Sequence, residues 1–132
     1  MSISLICVAL LAFLCLALGF NVSMARSSSK TLFASDTDPE NALYKARRAH
    51  GNTIEYAPVL ALLIYILGQS QQPAWVIWSM VMVTFFRYLI VVGILIPHTM
   101  AAPNPMRFVG ALGTYLGGLA LTVAVLIQAI GT

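Results

Sequence analysis

The sequence has very little charge. Only 8% of its 132 residues are charged and 60% are hydrophobic, whereas an ordinary soluble domain carries roughly 25% charged residues. This shortage excludes a soluble globular domain and also an extended disordered chain, which needs a polar composition. A chain of this length normally forms one domain, so a multidomain layout is excluded as well. The mean hydropathy of +0.90 indicates that most of the surface faces lipid.

Cysteine and histidine are scarce, which removes two kinds of site. Cys7 and Cys15 lie on one predicted helix, about 12 Å apart along its axis, too far for a disulfide. We interpret them as apolar filling residues. His50 and His98 stand alone, with no cysteine or carboxylate at ligand spacing, so the sequence predicts no metal site.

Four hydrophobic segments are long enough to cross a membrane, which takes about 20 apolar residues each. The uncharged run from Tyr56 to Phe86 is too long for one helix and is divided at 68–73 by a glycine, three glutamines and a proline. Three prolines within 97–105 indicate a loop before the last segment. The sequence therefore predicts an all-α membrane protein, a bundle of four transmembrane helices. The predicted spans are about 2–20, 53–68, 74–96 and 108–130.

Two other interpretations of these segments stay open. Ser23 and Ala25 have the small side chains of a secretory cleavage site, although the segment lacks a basic start and its apolar stretch is longer than usual. A small four-span multidrug exporter has a similar size and basic balance. It would need an acid in the first span and short loops, whereas this first span has no acid and the first loop covers 21–51.

The basic residues predict the orientation. The net charge of +3 arises between the spans, so membrane topology explains it better than binding to nucleic acid. The turn at 68–73 has no basic residue, so both basic loops should face the cytoplasm and both termini should lie outside. Asp36, Asp38 and Pro39 predict a helix start inside loop 21–51 that continues into the second span. The basic loop residues are Arg26, Lys30, Lys45, Arg47, Arg48 and Arg107.

Polar residues on the second helix and one arginine on the third form the candidate site. Arg87 falls near the middle of its span, where an unpaired charge costs several kcal/mol. Glu55 and Arg87 are each sixteen residues from Gln71 at the hairpin apex, so we predict an ion pair between them that either fixes the hairpin or borders a ligand site. Helical spacing places four polar residues on one face of the second helix: Arg48, Asn52, Glu55 and Tyr56.

A face of small residues on the last span predicts close helix packing. Gly113 and Gly117 form a Gly-x-x-x-Gly pair, and Gly110 lies one turn before them. Such faces allow two helix backbones to approach closely in a membrane. We expect a packing contact here, within one subunit or between subunits, rather than chemistry.

Two segments resemble a known family. Residues 47–58, with Arg48, Asn52, Glu55 and Tyr56, and the loop 103–110 are similar to the MAPEG superfamily, membrane-associated proteins of eicosanoid and glutathione metabolism. The small bacterial members are the most similar type. The resemblance implies a homotrimer of left-handed four-helix bundles in a bacterial inner membrane, with glutathione at subunit interfaces near the cytoplasmic side.

The resemblance also implies roles for individual residues. The four polar residues of the second helix would hold glutathione, with Arg87 beside Glu55. Arg26 and His50 would reach the ligand from the neighbouring subunit. Arg107 would be catalytic, because a guanidinium beside a thiol lowers its pKa from about 8.5 and so yields more thiolate at neutral pH. A hydrophobic electrophile would then arrive from the bilayer.

The implied function is a glutathione transferase, with or without peroxidase activity. Eicosanoid-type members carry Tyr or His three and seven residues after the arginine of the third span, whereas this chain has Ile90 and Ile94. The glutathione pocket therefore lacks polar contacts on one wall. A non-catalytic lipid-binding or scaffold protein of the same family is the alternative function.

Overall fold

Four α-helices account for most of the chain. The computed structural model describes residues 1–29 and 37–131. The all-α class predicted from the apolar segments is confirmed. The helices are α1 (Ile3–Ser29), α2 (Ala42–Leu67), α3 (Ala74–Leu95) and α4 (Pro105–Gly131).

Three of these helices, α1, α3 and α4, are long and apolar enough to cross a membrane. Helix α2 is of similar length, but its first half carries most of the polar residues of the candidate site. Its second half is apolar, and Leu60 and Ile64 are buried in a core cluster with residues of all three other helices. By length and composition α2 is not one of the candidate spans, so the fourth span stays a prediction.

Helices α2 and α3 form the centre of the bundle. Helix α1 packs mainly on α2, and α4 packs mainly on α3. Within the described residues, the backbones of α1 and α4 do not come close to each other. Cys7 is buried in the α1 side of the core, Cys15 is half-buried, and both are free thiols. The centre of the bundle is therefore built by the two helices that carry the candidate site.

The turn between α2 and α3 lies where the sequence predicts it, at 68–73. Gly68 has a φ of −68°, so it is not needed for a left-handed turn. Instead, a Cβ at Gly68 would overlap with the Ser4 side chain of α1. The Gln72 amide donates to the Leu67 carbonyl (2.8 Å) and to the Gln128 side chain (3.0 Å). These bonds pair the polar groups of the turn. The turn lies at the end of the bundle where α1 begins and α4 ends.

The first loop is shorter than predicted, because α1 continues to Ser29 and α2 begins at Ala42. The predicted helix start at Pro39 is wrong. The Asp38 carboxylate accepts from the Glu40 amide (3.0 Å) in a turn, and Asn41 caps the helix instead, accepting from the Leu43 amide (2.8 Å). A carboxylate engaged in a turn is not available as a helix cap. Asp36 and Lys30 lie outside the described residues.

Both basic loops lie at one end of the bundle, as the charge pattern predicts. The Met100 amide donates to the Pro39 carbonyl (3.0 Å), which joins the two loops. The Lys45 ammonium donates to the Leu95 (3.4 Å) and Pro97 (3.1 Å) carbonyls. It therefore stabilises the C-terminus of α3, where a cation meets unsatisfied carbonyls. Lys45 is a helix cap as well as an orientation signal.

The small-residue face of α4 packs within the chain, against α3. A Cβ at Gly110 would lie 3.0 Å from the Ile90 backbone nitrogen, and one at Gly117 would lie 3.1 Å from the Val83 Cβ. Gly113 lies directly against the ring of Phe86. The predicted packing role is confirmed, and its partner is the neighbouring helix of the same subunit.

We expect Gly113→Ala to destabilise the protein by about 1–3 kcal/mol, the usual cost of overpacking, because its methyl would overlap with the Phe86 ring. Gly51→Ala is the matched control, since nothing lies within 4 Å of a Cβ there, and it should stabilise α2 by about 0.5–1 kcal/mol. The measurement is the free energy of unfolding in mixed detergent micelles. Equal effects of the two substitutions would contradict the packing described here.

Candidate functional site

Arg87 is the central residue of the site. It is completely buried, at 0% exposure. Along α3 it lies about 20 Å from the turn and about 12 Å from the basic end, at 1.5 Å per residue. A guanidinium at this depth needs partners, because an unpaired charge in the membrane interior costs several kcal/mol.

The partners of Arg87 come from α2. Its Nη2 donates to the Asn52 side-chain oxygen (2.6 Å) and to the Asn52 backbone carbonyl (3.0 Å). Its guanidinium carbon also lies 5.1 Å from the centre of the Tyr56 ring, within the range of a cation–π interaction. Two residues of the predicted polar face therefore bind the buried arginine.

The predicted ion pair between Glu55 and Arg87 is wrong for the single chain. Across 1–29 and 37–131, no acidic oxygen lies within ion-pair distance of Arg87. Glu55 is exposed and lies at the edge of a groove between α2 and α4. The number of residues from the turn gives the depth of Glu55 in the membrane, but it does not give the direction in which the Glu55 side chain leaves the helix. Asn52, one turn before Glu55, is the residue that points at α3.

Tyr115 of α4 belongs to this cluster and was missed by the sequence analysis. Its hydroxyl lies 3.2 Å from the Tyr56 hydroxyl. The two rings meet edge to face, with centres 5.9 Å apart, an arrangement that aromatic pairs prefer. The sequence feature that could have revealed Tyr115 is its position inside an apolar span, because a phenol hydroxyl there usually forms a hydrogen bond with a polar partner. With Tyr115, the site is built by three helices.

A small cavity adjoins Arg87. Its volume is about 20 Å³, enough for one water-sized group. The Arg87 Nε has no hydrogen-bond partner among the described residues, so the wall of the cavity includes a residue with an unused donor. The lining residues are Asn52, Tyr56, Arg87, Ile90, Ala111, Thr114 and Tyr115.

A larger groove of about 340 Å³ lies between α2 and α4. Its polar part contains Glu55, Tyr56 and Tyr115, and the rest is mainly apolar, including Val59 and Leu119. The two tyrosines also line the small cavity. They therefore form a wall between the buried arginine and the open side of the bundle.

The remaining predicted binding residues lie outside this cluster. Arg26 is exposed in the last turn of α1, and Arg48 is exposed one turn before Asn52. His50 is half-buried and faces α1, where a Cβ at Gly19 would lie 3.3 Å from its Nε2. The single chain brings Asn52, Tyr56 and Arg87 together and leaves the other four predicted binding residues toward its surface or its basic end.

Arg107 holds the loop that precedes α4. Its Nη1 donates to the Met100 carbonyl (3.2 Å) and its Nη2 to the Ala102 carbonyl. Asn104 caps the helix start, accepting from the Met106 amide (2.9 Å). A guanidinium has five N–H donors, so these two bonds leave donors for a further partner. Its role toward a thiolate stays a prediction.

The two isoleucines that depart from the family pattern are core residues. Ile90 is 5% exposed and Ile94 is 4% exposed. Ile90 packs against Gly110 and supplies apolar surface to the small cavity beside Arg87. Ile90 thus supplies part of the apolar lining of this cavity, and Ile94 does not line it. That the glutathione pocket lacks polar contacts on one wall stays a prediction.

Comparison with known proteins gives one match. The family model described as the MAPEG family matches residues 4–127, a range that includes all four helices except the ends of α1 and α4. No curated protein and no solved structure matches the chain.

We expect Asn52→Ala to destabilise the protein by about 1.5–3 kcal/mol, the usual size of a hydrogen bond to a charged group, because it leaves the buried Arg87 without its side-chain acceptor. Asn52→Asp should recover most of this loss by offering a carboxylate. The measurement is the free energy of unfolding in mixed micelles.

Asn21→Ala, on α1, is the matched control and should change this free energy by less than about 0.5 kcal/mol. Glu55→Gln tests the original ion-pair prediction. If it destabilised the protein as much as Asn52→Ala, the assignment of Asn52 as the main partner of Arg87 would be wrong.

Proposed function

Because the chain belongs to the MAPEG family, whose members are membrane-bound, we propose that it is a membrane-bound glutathione transferase, with or without peroxidase activity. It activates the glutathione thiolate for attack on hydrophobic electrophiles. The observation that carries the proposal is the buried Arg87, held by Asn52 and Tyr56 beside an open groove.

The charges around this cluster suit glutathione. The tripeptide has two carboxylates and one ammonium group. Four arginines of the predicted site lie at or near this end of the bundle, and Glu55 is the one acid on the polar face of α2. The arginines complement the carboxylates, and Glu55 complements the ammonium. The four are Arg26, Arg48, Arg87 and Arg107.

Arg107 is the proposed catalytic residue. The thiol of glutathione loses its proton to water, and the guanidinium stabilises the thiolate that remains. This lowers the pKa of the thiol and raises the fraction of nucleophile at neutral pH. The thiolate sulfur then forms a bond to an electrophilic carbon of a substrate that enters from the bilayer. The bond from that carbon to its leaving group breaks, and the leaving group departs with the electron pair, as chloride does from a chlorinated nitrobenzene.

The proposed assembly is a homotrimer, in which neighbouring copies complete the site. Glu55 lies within the second predicted span and is exposed on the side of a bundle that otherwise presents apolar residues. A charged side chain facing lipid is costly, so a second copy that covers the groove between α2 and α4 would remove this cost. Arg26 and His50 of that copy would then reach the ligand.

The proposed topology follows from the same pattern of charge. The basic end faces the cytoplasm of a bacterial inner membrane, and both termini lie outside. Helix α2 crosses the membrane together with α1, α3 and α4, which makes four spans. In this orientation the basic loops are open to cytoplasmic glutathione. The apolar part of the groove, with Val59 and Leu119, is at the depth of the acyl chains.

The alternative function is a non-catalytic lipid-binding or scaffold protein of the same family. Two observations favour it. Ile90 gives the small cavity beside Arg87 an apolar lining residue, and Ile94 is buried in the core, so neither offers a polar contact to a ligand. A second groove of about 430 Å³ lies between α1 and α3 and is lined by residues such as Ile6, Leu10 and Phe85. Such a groove suits an acyl chain.

The number of copies in the assembly can be measured directly. Native mass spectrometry of the protein in detergent, and again in lipid nanodiscs, should find three copies in each particle. The count should not change when the protein is diluted tenfold, since a site shared between subunits requires a stable assembly. A particle of one or two copies in both media would contradict the trimer.

Thiolate formation and conjugation test the proposed role of Arg107. Added glutathione should raise the ultraviolet absorbance of the thiolate in the wild type at neutral pH, and the wild type should conjugate glutathione to a chlorinated nitrobenzene. Arg107→Ala should lower the thiolate signal about tenfold, which corresponds to one pKa unit.

Arg47→Ala is the matched control. It removes the same charge from an exposed position at the same end and should leave both signals within about twofold, because its charge is screened by solvent. An unchanged thiolate signal in Arg107→Ala would remove Arg107 from the mechanism. Absence of conjugation in the wild type, together with lipid binding, would favour the alternative function.

A further inference from the structure

The proposed function assigns no role to Tyr115, although this residue contacts the site from α4. Tyr115 is 58% exposed within an apolar helix, so its hydroxyl would face lipid without a hydrogen-bond partner if it did not turn inward. Instead the hydroxyl meets that of Tyr56 at 3.2 Å. The contact joins α4 to the helix that carries the predicted glutathione residues.

Tyr56 is held on two sides. One face of its ring lies against the Arg87 guanidinium, 5.1 Å from the ring centre. The edge-to-face contact with the Tyr115 ring and the contact between the hydroxyls fix the other side. A tyrosine has two side-chain torsions, and these contacts restrict both. Without the Tyr115 hydroxyl, the Tyr56 hydroxyl would lose the one partner that the structure gives it.

Within the pair of hydroxyls, one is the donor and the other is the acceptor. A phenol both donates and accepts, so one hydroxyl donates to the other and the acceptor keeps its own hydrogen. The pair therefore offers one O–H donor to a third group. Accepting a hydrogen bond polarises that O–H and strengthens the bond it donates. Because both tyrosines line the groove between α2 and α4, the donor is available to a ligand there.

We propose that Tyr115 is a positioning residue of the glutathione site, whose hydroxyl holds the Tyr56 hydroxyl so that the pair donates one hydrogen bond to an acceptor oxygen of the tripeptide, a carboxylate or an amide carbonyl. This inference rests on the proposed function. It assigns Tyr115 to binding of the thiol substrate rather than to the transfer step.

Tyr115→Phe tests this role, because it removes the hydroxyl and keeps the ring that packs on Tyr56. The dissociation constant of glutathione, from calorimetry, and its KM should both rise about three- to tenfold, the size of one lost hydrogen bond. The kcat for conjugation should stay within about twofold. A residue that only supported the fold would not separate KM from kcat in this way.

A double-mutant cycle tests whether Tyr115 acts through Tyr56. Tyr56→Phe combined with Tyr115→Phe should bind glutathione as Tyr56→Phe alone does, because the second hydroxyl has nothing left to position. Tyr65→Phe is the matched control. Tyr65 is an exposed tyrosine of α2 near the opposite end of the bundle, and its substitution should leave both constants unchanged.

The outcomes separate this inference from the proposed function. If the wild type binds no glutathione, the proposed function fails and the inference fails with it. If the wild type binds glutathione but Tyr115→Phe changes neither constant, only the inference is overturned. It is also overturned if the two substitutions have independent, multiplicative effects, because Tyr115 would then not act through Tyr56.

Discussion

The structure depends on the accommodation of one guanidinium inside an apolar bundle. Arg87 is fully buried, and its hydrogen bonds to Asn52 join α3 to α2 at a defined height. Breaking such a contact leaves a charge with no solvent, so sliding of one helix along the other is opposed by several kcal/mol. The same contact places Tyr56 over the guanidinium. The position of the candidate site therefore follows from the requirement to satisfy one charge.

The glycines of α4 make this arrangement possible on the other side of α3. Gly113 lies against Phe86, the residue next to Arg87, and Gly110 lies against Ile90, one turn later. Because these positions lack side chains, α4 approaches closely enough for Tyr115 to reach Tyr56. Packing of small residues and assembly of the polar cluster are thus one feature of the fold, although the sequence presents them as two separate patterns.

The sequence predicted the features that depend on how far a residue lies along its helix. It missed the features that depend on how each helix is rotated about its own axis. The turn at 68–73, the depth of Arg87 and the shared end of the basic loops follow from residue order and hydrophobicity. The partner of Arg87 does not, because Asn52 and Glu55 are within one turn of each other and only the packed helices decide which points at α3. Tyr115 was missed for the same reason. Its meeting with Tyr56 depends on how α4 is turned against α2.

The basic residues show why charge alone assigns no role. Lys45, Arg87 and Arg107 all count as positive charges in the sequence, yet Lys45 caps α3, Arg87 binds the half-buried amide of Asn52 and Arg107 holds a loop. Each of these contacts satisfies donors within the chain. Glu55, in contrast, is exposed at the edge of the groove between α2 and α4, and Arg48 is exposed two turns before it on α2. The candidate site therefore has a buried part, whose hydrogen bonds come from one chain, and an exposed part on α2. In the proposed assembly, the ligand and a second copy would cover the exposed part.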